Sequence, residues 1–167
     1  SYANTTVDRC VVHKVYNSLV RYQLGGITEF EPDLATNWKL APDGKVWTFH
    51  LRHGVMVHDW TNPVTHEHHP SYELTSEDVV YSFEKAADPA RSLNAGAFTG
   101  MSFRAEDKYT VQFILEEPLS ASLFLPKVAD YLTGLIIPKK PAEDLGDSLR
   151  NTVVGTGPFK YKEYRPR

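Results

Sequence analysis

Alternating hydrophobic and polar residues predict a β-hairpin in the first third of the chain. Trp47, Phe49 and Leu51 occupy every second position, which directs all three to one face of a strand. A second strand-like stretch covers residues 34–40, and a Pro-Asp-Gly sequence at 42–44 separates the two. Proline presets φ and glycine accepts a positive φ, so this tripeptide favours a tight turn. The pattern therefore predicts two antiparallel strands with a buried aromatic face.

Apolar residues at helical intervals predict two amphipathic helices and one shorter helix. The first covers residues 7–19, where valine or leucine recurs every four positions. The second begins after Thr75, which has Asp78 at the capping-box spacing, and the Asp-Pro sequence at 88–89 ends it. A short helix is predicted over residues 119–125.

Three further strands complete the predicted fold. They cover residues 109–115, 135–137 and 159–164, whereas residues 60–74 and 90–101 lack periodicity and are predicted to be loops. Two or three helices are thus interleaved with five or six strands that are joined partly by hairpins. This order predicts an α+β fold rather than a strict βαβ alternation.

Composition and charge exclude several classes of protein. Hydrophobic residues make up 41% and charged residues 23%, so the chain can build a core. The net charge is −3 and no region concentrates Lys and Arg, so no nucleic-acid partner is expected. A single Cys excludes an internal disulfide and a Cys-rich zinc module. No apolar run approaches the roughly 20 residues that span a bilayer.

The most conspicuous candidate for chemistry is a His-Glu-His-His run at residues 66–69. Imidazole and carboxylate groups are ligands that zinc or nickel accepts. Adjacent His68 and His69 point apart in an extended chain, which leaves only His66 and His68 on one face. A solvated loop is the favoured interpretation, and a metal-handling protein that uses His66, His68 and His69 is the alternative.

No motif supports an enzymatic function. His50, His53 and His58 are interpreted as surface or edge histidines, because a ligand set needs convergence that the sequence does not show. The Gly-Thr-Gly-Pro sequence at 155–158 lacks the third glycine of a dinucleotide site and the Gly-Lys-Ser/Thr of a P-loop. It is interpreted as a tight turn or a crossing between structural units. Cys10 lies beside the first apolar stripe and is interpreted as a core thiol. No catalytic residue and no cofactor is predicted.

Five short sequences follow one another along nearly the whole chain. They are VYNSLV at 15–20, PDLATNW at 32–38 with PDG at 42–44, WTFHLRHGV at 47–55 with HD at 58–59, LTSEDVVYS at 74–82, and VGTGPFK at 154–160. In this order the chain resembles the family 5 extracellular solute-binding proteins, the peptide and nickel receptors of bacterial and archaeal ABC importers. It departs from that family at Trp60, where glycine is usual, and in the longer stretch 61–73 that contains the histidine run.

The resemblance implies a fragment of the type II periplasmic-binding-protein-like fold, in which two lobes close on a ligand by a hinge motion in a chain about three times longer. Residues 1–16 and 153–167 would be edges of the main sheet of the first lobe. Residues 17–152 would be the small α+β domain inserted in that lobe, and the second lobe would be absent. Cut sheet edges then predict self-association of this chain.

The resemblance also implies a receptor without catalysis, which buries peptides by lobe closure and delivers them to a membrane permease. Backbone groups of Asn4, Thr5 and Thr6 would run along an extended ligand, and Phe98 would bring an aromatic ring to the cleft edge. The alternative cargoes are nickel or another metal, through the histidine run, and oligosaccharides. The expected location is periplasmic or extracellular, either free or with a lipid anchor.

Overall fold

A computed structural model describes residues 12–26, 28–129 and 133–162. The strands are β1 (Val20–Tyr22), β2 (Phe30–Pro32), β3 (Ala35–Leu40), β4 (Val46–Leu51), β5 (Met56–Val57), β6 (Trp60–Thr61), β7 (His68–His69), β8 (Tyr72–Glu73), β9 (Met101–Asp107) and β10 (Thr110–Leu115). The helices are α1 (Ser76–Ala87), α2 (Ala121–Ala129) and α3 (Lys139–Leu145), with 3-10 helices at Ala95–Phe98 and Gly146–Arg150. This mixture of helices and antiparallel pairs confirms the predicted α+β class.

The largest sheet is antiparallel, with the strand order β3-β4-β10-β9. Its β3–β4 hairpin is the one that the alternation predicts, and Gly44 has the positive φ of 72° that its turn requires. Trp47, Phe49 and Leu51 are buried, as expected for one face of a strand. In the register of the sheet, Phe113 of β10 lies opposite Trp47 of β4.

Aromatic rings fill the space between this sheet and helices α1 and α2. The ring centroid of Phe113 lies 4.8 Å from that of Phe83 on α1 and 5.5 Å from that of Phe124 on α2. Phe124 stacks on Trp47 at 4.8 Å. Edge-to-face and stacked pairs at these distances add to the stabilisation that burial of apolar area provides. The core is therefore a continuous aromatic cluster.

Asp78 joins the beginnings of two helices. Its Oδ2 accepts the backbone N–H of Thr75 at 3.0 Å, which is half of the predicted capping box at the start of α1. Its Oδ1 accepts the backbone N–H of Lys139 at 2.9 Å, at the start of α3, and the hydroxyl of Tyr72 at 2.7 Å. Burial together with the Asp78 carboxylate raises the pKa of Tyr72 well above its usual value. The predicted end of α1 before Asp88 is also confirmed.

The first predicted helix ends earlier than its apolar stripe. Residues 12–15 are helical, but residues 16–19 are not, and the part before residue 12 lies outside the described residues. Asp33 explains the end of the helix, because its carboxylate accepts the side-chain amide of Asn17 at 2.8 Å and the backbone N–H of Ser18 at 2.9 Å. Leu19 is still fully buried, but in a bend that leads into β1.

Several predicted boundaries are wrong. Residues 60–74 are not a loop, because β6 pairs with β7 and β8 pairs with β5. Residues 90–101 include a 3-10 helix and lead into the edge strand β9, which the sequence analysis missed along with α3. Residues 135–137 form one isolated bridge, between Leu135 and Ser18, rather than a strand. The predicted strand over 159–164 is not found within residues 159–162, and the rest lies outside the described residues.

Local chemistry explains these misses. Strand β9 is half exposed and carries Arg104, Glu106 and Asp107, so its apolar alternation is weak. Helix α3 has Pro141 in its first turn, where a missing N–H is tolerated but the sequence looks like a helix stop. The short helix predicted over 119–125 is found as α2, which begins two residues later and ends four residues later than predicted. None of the described helices has the length and apolarity needed to cross a membrane.

Candidate functional site

The predicted ligand contacts are only partly within the described structure. Asn4, Thr5 and Thr6 lie outside the described residues, so their placement stays a prediction. Phe98 is described, and its side chain is 2% exposed. Its ring packs edge-to-face against Phe83 at 5.5 Å and Phe103 at 5.9 Å. The prediction that Phe98 presents an aromatic ring to a ligand is therefore wrong, because the ring belongs to the core.

The three histidines of the predicted metal alternative do not converge. His66 is exposed and sits in the β6–β7 turn with a positive φ of 60°. His68 is exposed, and its Nδ1 shares a hydrogen bond with the hydroxyl of Thr61 at 3.3 Å. The ring of His69 instead stacks on Trp60, at 4.7 Å. No group of three His, Cys, Asp or Glu side chains within the described ranges could hold a metal ion, so the structure contradicts that alternative.

The β6–β7 hairpin is fastened to helix α3 through Asp144. Oδ2 of Asp144 accepts the indole N–H of Trp60 at 2.8 Å, and Oδ1 accepts the side-chain amide of Asn62 at 3.0 Å. The same amide also donates to the backbone carbonyl of Asp144 at 3.1 Å. The two bonds to the carboxylate hold the pKa of Asp144 below its usual range, with the nearby His69 ring adding to the effect. His69 Nε2 lies 3.5 Å from Oδ2 of Asp144 and makes no hydrogen bond within the described chain.

The two ends of the described chain run side by side. The backbone N–H of Gly157 donates to the carbonyl of Val15 at 2.7 Å, and that of Phe159 donates to the carbonyl of Lys14 at 3.0 Å. A Cβ at Gly155 would lie 2.1 Å from the Val15 oxygen, and one at Gly157 would lie 2.5 Å from the Lys14 oxygen. Only glycine allows this approach. The two glycines of the Gly-Thr-Gly-Pro sequence are thus explained by this close approach, whereas the crossing between structural units stays a prediction.

His58 lies on the other side of the same segment. Its backbone N–H donates to the Gly155 carbonyl at 2.9 Å, and its ring Nε2 donates to the Gly157 carbonyl at 2.9 Å. The interpretation of His58 as a surface or edge histidine is thus wrong. His50 and His53 fit that interpretation better, since His53 is exposed and stacks on Tyr109 at 3.9 Å. We call residues 14–17, His58 and residues 155–159 the terminal junction.

A cavity of about 490 Å³ lies beside the terminal junction. Its walls are residues 59–61, 151–154 and 160–162. Lys160 Nζ pairs with Asp59 Oδ2 at 2.5 Å across this cavity, and that bond holds the pKa of Asp59 below its usual range. Both side chains of the pair are about half exposed, which limits what the pair adds to stability.

Sequence reasoning missed the roles of Asp144 and His58. Asp144 lies in an undetected helix, and nothing in its neighbours indicates that Trp60 and Asn62 approach it from 82 or more residues away. A signal for His58 was available. Its stretch and the Gly-Thr-Gly-Pro stretch are both among the five that carry the family resemblance, although neither predicts that the two are in contact.

Comparison with known proteins gives one consistent result. The family model described as bacterial extracellular solute-binding proteins, family 5, middle region, matches residues 29–167. The dipeptide-binding protein of Escherichia coli (strain K12) is 34% identical in an alignment that covers 98% of this chain and 32% of that protein. This chain spans about a third of the length of the curated relatives it matches.

Two solved structures illustrate the likeness in three dimensions. The binding protein MoaA of A. tumefaciens R10, in complex with mannopinic acid, has a TM-score of 0.81 and 34% identity, covering 98% of this chain and 31% of that one. DppA of Helicobacter pylori, in complex with the peptide STSA, has a TM-score of 0.71 and 31% identity, covering 97% of this chain and 33% of that one. The α+β fold found here is the fold of part of such periplasmic binding proteins.

Proposed function

Since the chain belongs to family 5 of the bacterial extracellular solute-binding proteins, we propose that it is part of an ABC-importer receptor that binds peptides. The observation that carries the proposal is the match along 98% of the chain to the dipeptide-binding protein of E. coli. The similar H. pylori structure holds a peptide. The family consists of binding receptors, and no catalytic role is proposed for any residue of this chain.

We also propose the division of the chain that the sequence predicts. Residues 17–152 form an inserted α+β unit, and residues 1–16 and 153–167 are edges of the main sheet of a first lobe. The terminal junction supports this division, because residues 14–15 and 157–159 pair directly. A unit whose two ends lie side by side can be inserted in a larger domain without disturbing it. Ligand binding would then require a second lobe that closes by a hinge motion.

The peptide contacts proposed within this chain are the backbone groups of Asn4, Thr5 and Thr6. An extended segment can bind a peptide as an added strand, with main-chain hydrogen bonds supplying affinity. Phe98 is not among the proposed contacts, since it is buried in the aromatic core. Most side-chain specificity is assigned to the second lobe.

A second candidate cargo has one observation in its favour. The structure of MoaA was determined with mannopinic acid, and its TM-score of 0.81 and identity of 34% are at least as high as the values for the peptide-bound DppA. Mannopinic acid is therefore the second ligand to be tested alongside peptides. Nickel through the histidine run is not retained, because His66, His68 and His69 do not converge.

The test is a thermal-shift comparison of this 167-residue chain with the complete receptor that we propose. The probes are a mixed dipeptide and tripeptide pool, mannopinic acid, and buffer. A ligand at about 100 times its Kd stabilises the folded state by about 2.7 kcal/mol, which moves the melting temperature by several degrees. We expect peptides to shift the complete receptor and to shift this chain by less than one third as much.

Each other outcome changes the proposal. If only mannopinic acid raises the melting temperature of the complete receptor, it replaces peptides as the proposed cargo. If neither probe raises it, the proposed function is contradicted. A full shift of the 167-residue chain with peptides would contradict the assignment of specificity to a second lobe. Binding that is unchanged after Thr5 and Thr6 are both replaced by proline, which removes two backbone donors, would contradict the proposed contacts.

Location, partner and assembly are proposed on the same basis. The receptor would act in the periplasm or outside the cell, free or lipid-anchored, and would dock on a membrane permease. We also propose that this chain alone self-associates by exchanging its terminal segments. Light scattering is expected to show a dimer or larger species, and a monomer at all concentrations up to the millimolar range would contradict this.

A further inference from the structure

We propose that His58 is a positioning residue, which holds the segment 155–159 against residues 14–17 through the hydrogen bond from Nε2 to the Gly157 carbonyl. It would thereby set how the unit 17–152 sits on the terminal segments. The structural part of this inference is independent of any ligand. Its consequence for ligand binding rests on the proposed function.

Two hydrogen bonds from one residue define the register of the segment. The backbone N–H of His58 reaches the Gly155 carbonyl and its ring reaches the Gly157 carbonyl, each at 2.9 Å. The bent backbone of residues 156–159 turns both carbonyls toward His58, so one residue bonds both. A slip of the segment by one residue would break both bonds.

The chemistry of the acceptor fixes the direction of the ring's hydrogen bond. A carbonyl oxygen only accepts, so a hydrogen must be on Nε2 of His58. Nδ1 is buried without a hydrogen-bond partner in the part of the chain that the structure describes. An unpaired buried nitrogen costs free energy, and an apolar side chain at position 58 would avoid that cost. Histidine at this position is explained if the hydrogen bond from Nε2 to the Gly157 carbonyl outweighs it.

On the side away from His58, residues 155–157 pack closely against the backbone of residues 14–15. Gly157 donates to Val15, and neither Gly155 nor Gly157 has room for a Cβ against the backbone of residues 14–15. Thr156 adds a bond from its hydroxyl to the side-chain oxygen of Asn17, at 3.0 Å. The glycine segment is therefore held between His58 and residues 14–17, and the donor on the ring is the side-chain part of that clamp.

The test uses three replacements of His58 in this chain and hydrogen exchange of the Gly157 and Phe159 amides. His58→Ala removes the ring, and His58→Phe keeps a ring without a donor. His58→Gln provides an amide N–H at nearly the same reach. We expect exchange to be at least tenfold faster in the Ala and Phe variants and within threefold of the original in the Gln variant. Tenfold corresponds to about 1.4 kcal/mol, which is the upper range for one hydrogen bond.

The matched control is His53→Ala. His53 is exposed and stacks on Tyr109, away from the terminal junction, so exchange at Gly157 and Phe159 should not change. If the Gly157 and Phe159 amides of a folded His58→Phe variant exchange at the original rate, the proposal is overturned, because packing of a ring alone would then hold the segment. Fast exchange in a folded His58→Gln variant would overturn it as well. If the Ala variant does not fold, the Gln and Phe pair decides.

A second measurement separates this inference from the proposed function. In the complete receptor, His58→Phe should weaken peptide binding about tenfold, and His58→Gln should restore it. Suppose that the original receptor, His58→Phe and His58→Gln bind peptide with equal affinity while the exchange pattern is as expected. The role of His58 in holding residues 155–159 would then stand, and its proposed effect on ligand binding would be overturned. A lack of peptide binding by the original receptor would contradict the proposed function without altering the exchange result.

Discussion

The aromatic core and the hairpin fastened by Asp144 hold the chain together in different ways. In the core, Phe113 contacts rings on β4, α1 and α2, so each ring is supported from several sides. At the hairpin, Trp60 and Asn62 both bond one residue, Asp144, and Trp60 does so only through its carboxylate. Burial of apolar area is spread over many atoms, whereas a hydrogen-bonded cluster depends on particular ones.

This difference bears on how the molecule is built for its proposed role. The core carries the fold of residues 17–152, and its loss would affect every element. The hairpin holds Trp60 and the stretch after it, where the sequence analysis expects this chain to depart from its family. A hairpin that is fastened to one helix can differ in sequence and length without rearranging the core.

The largest effect is expected from Phe113→Ala, which opens a cavity among at least four rings. Removal of a fully buried phenylalanine costs about 3–5 kcal/mol of unfolding free energy. Urea denaturation measures this loss. The control is Ile114→Ala, on the next position and the other face of β10, where about 1 kcal/mol or less is expected. Equal losses at both positions would contradict the one-sided core.

An intermediate effect is expected from Asp144→Ala. It leaves the indole N–H of Trp60 unpaired and removes one of the two bonds of the Asn62 amide, which keeps its bond to the backbone carbonyl of residue 144. Trp60 and Asn62 are 5% and 4% exposed. Unpaired buried donors cost about 1–3 kcal/mol, so a loss in that range is expected in the same denaturation experiment. Asp144→Asn keeps one acceptor oxygen and should recover part of the loss. No loss in either variant would mean that the hairpin does not need this fastening.

The smallest effect is expected at Glu73, which accepts the Gly54 N–H, the Tyr109 hydroxyl and the Lys108 ammonium. The Lys108 bond first, then those from Gly54 and Tyr109, lower the pKa of Glu73 from 4.5 to about 2. A lowered pKa means that the folded state favours the ionised form. This contribution to stability is full above about pH 4.5 and is lost as the pH falls to about 2.

The measurement is the stability of Glu73→Gln relative to the original chain from pH 7 to pH 2. The difference should shrink as the pH falls below about 4.5 and vanish near 2. Glu84→Gln, an exposed position on α1, serves as the control and should show no such trend. A difference that stays constant with pH would show that Glu73 acts only through packing.

Strongly periodic elements were predictable, and elements defined by distant partners were not. The β3–β4 hairpin, β10 and the capped helix α1 were expected from alternation, a turn tripeptide and a capping box. Strand β9 and helix α3 were missed because charged residues and a proline obscure their periodicity. For the candidate site, the two glycines at 155 and 157 indicated a special backbone position, but neither their contact with residues 14–15 nor the burial of Phe98 was predictable.

The sequence by itself determined the α+β class, the buried face of the central hairpin, the absence of any catalytic motif and the family, since these depend on local periodicity and on the order of short motifs. Only the tertiary structure decided that Phe98 is core, that the histidine run is a paired hairpin, and that His58 and Asp144 each bond partners far away in the chain. Contacts between residues about 80 to 100 positions apart depend on how elements pack, and a local pattern carries no information about them.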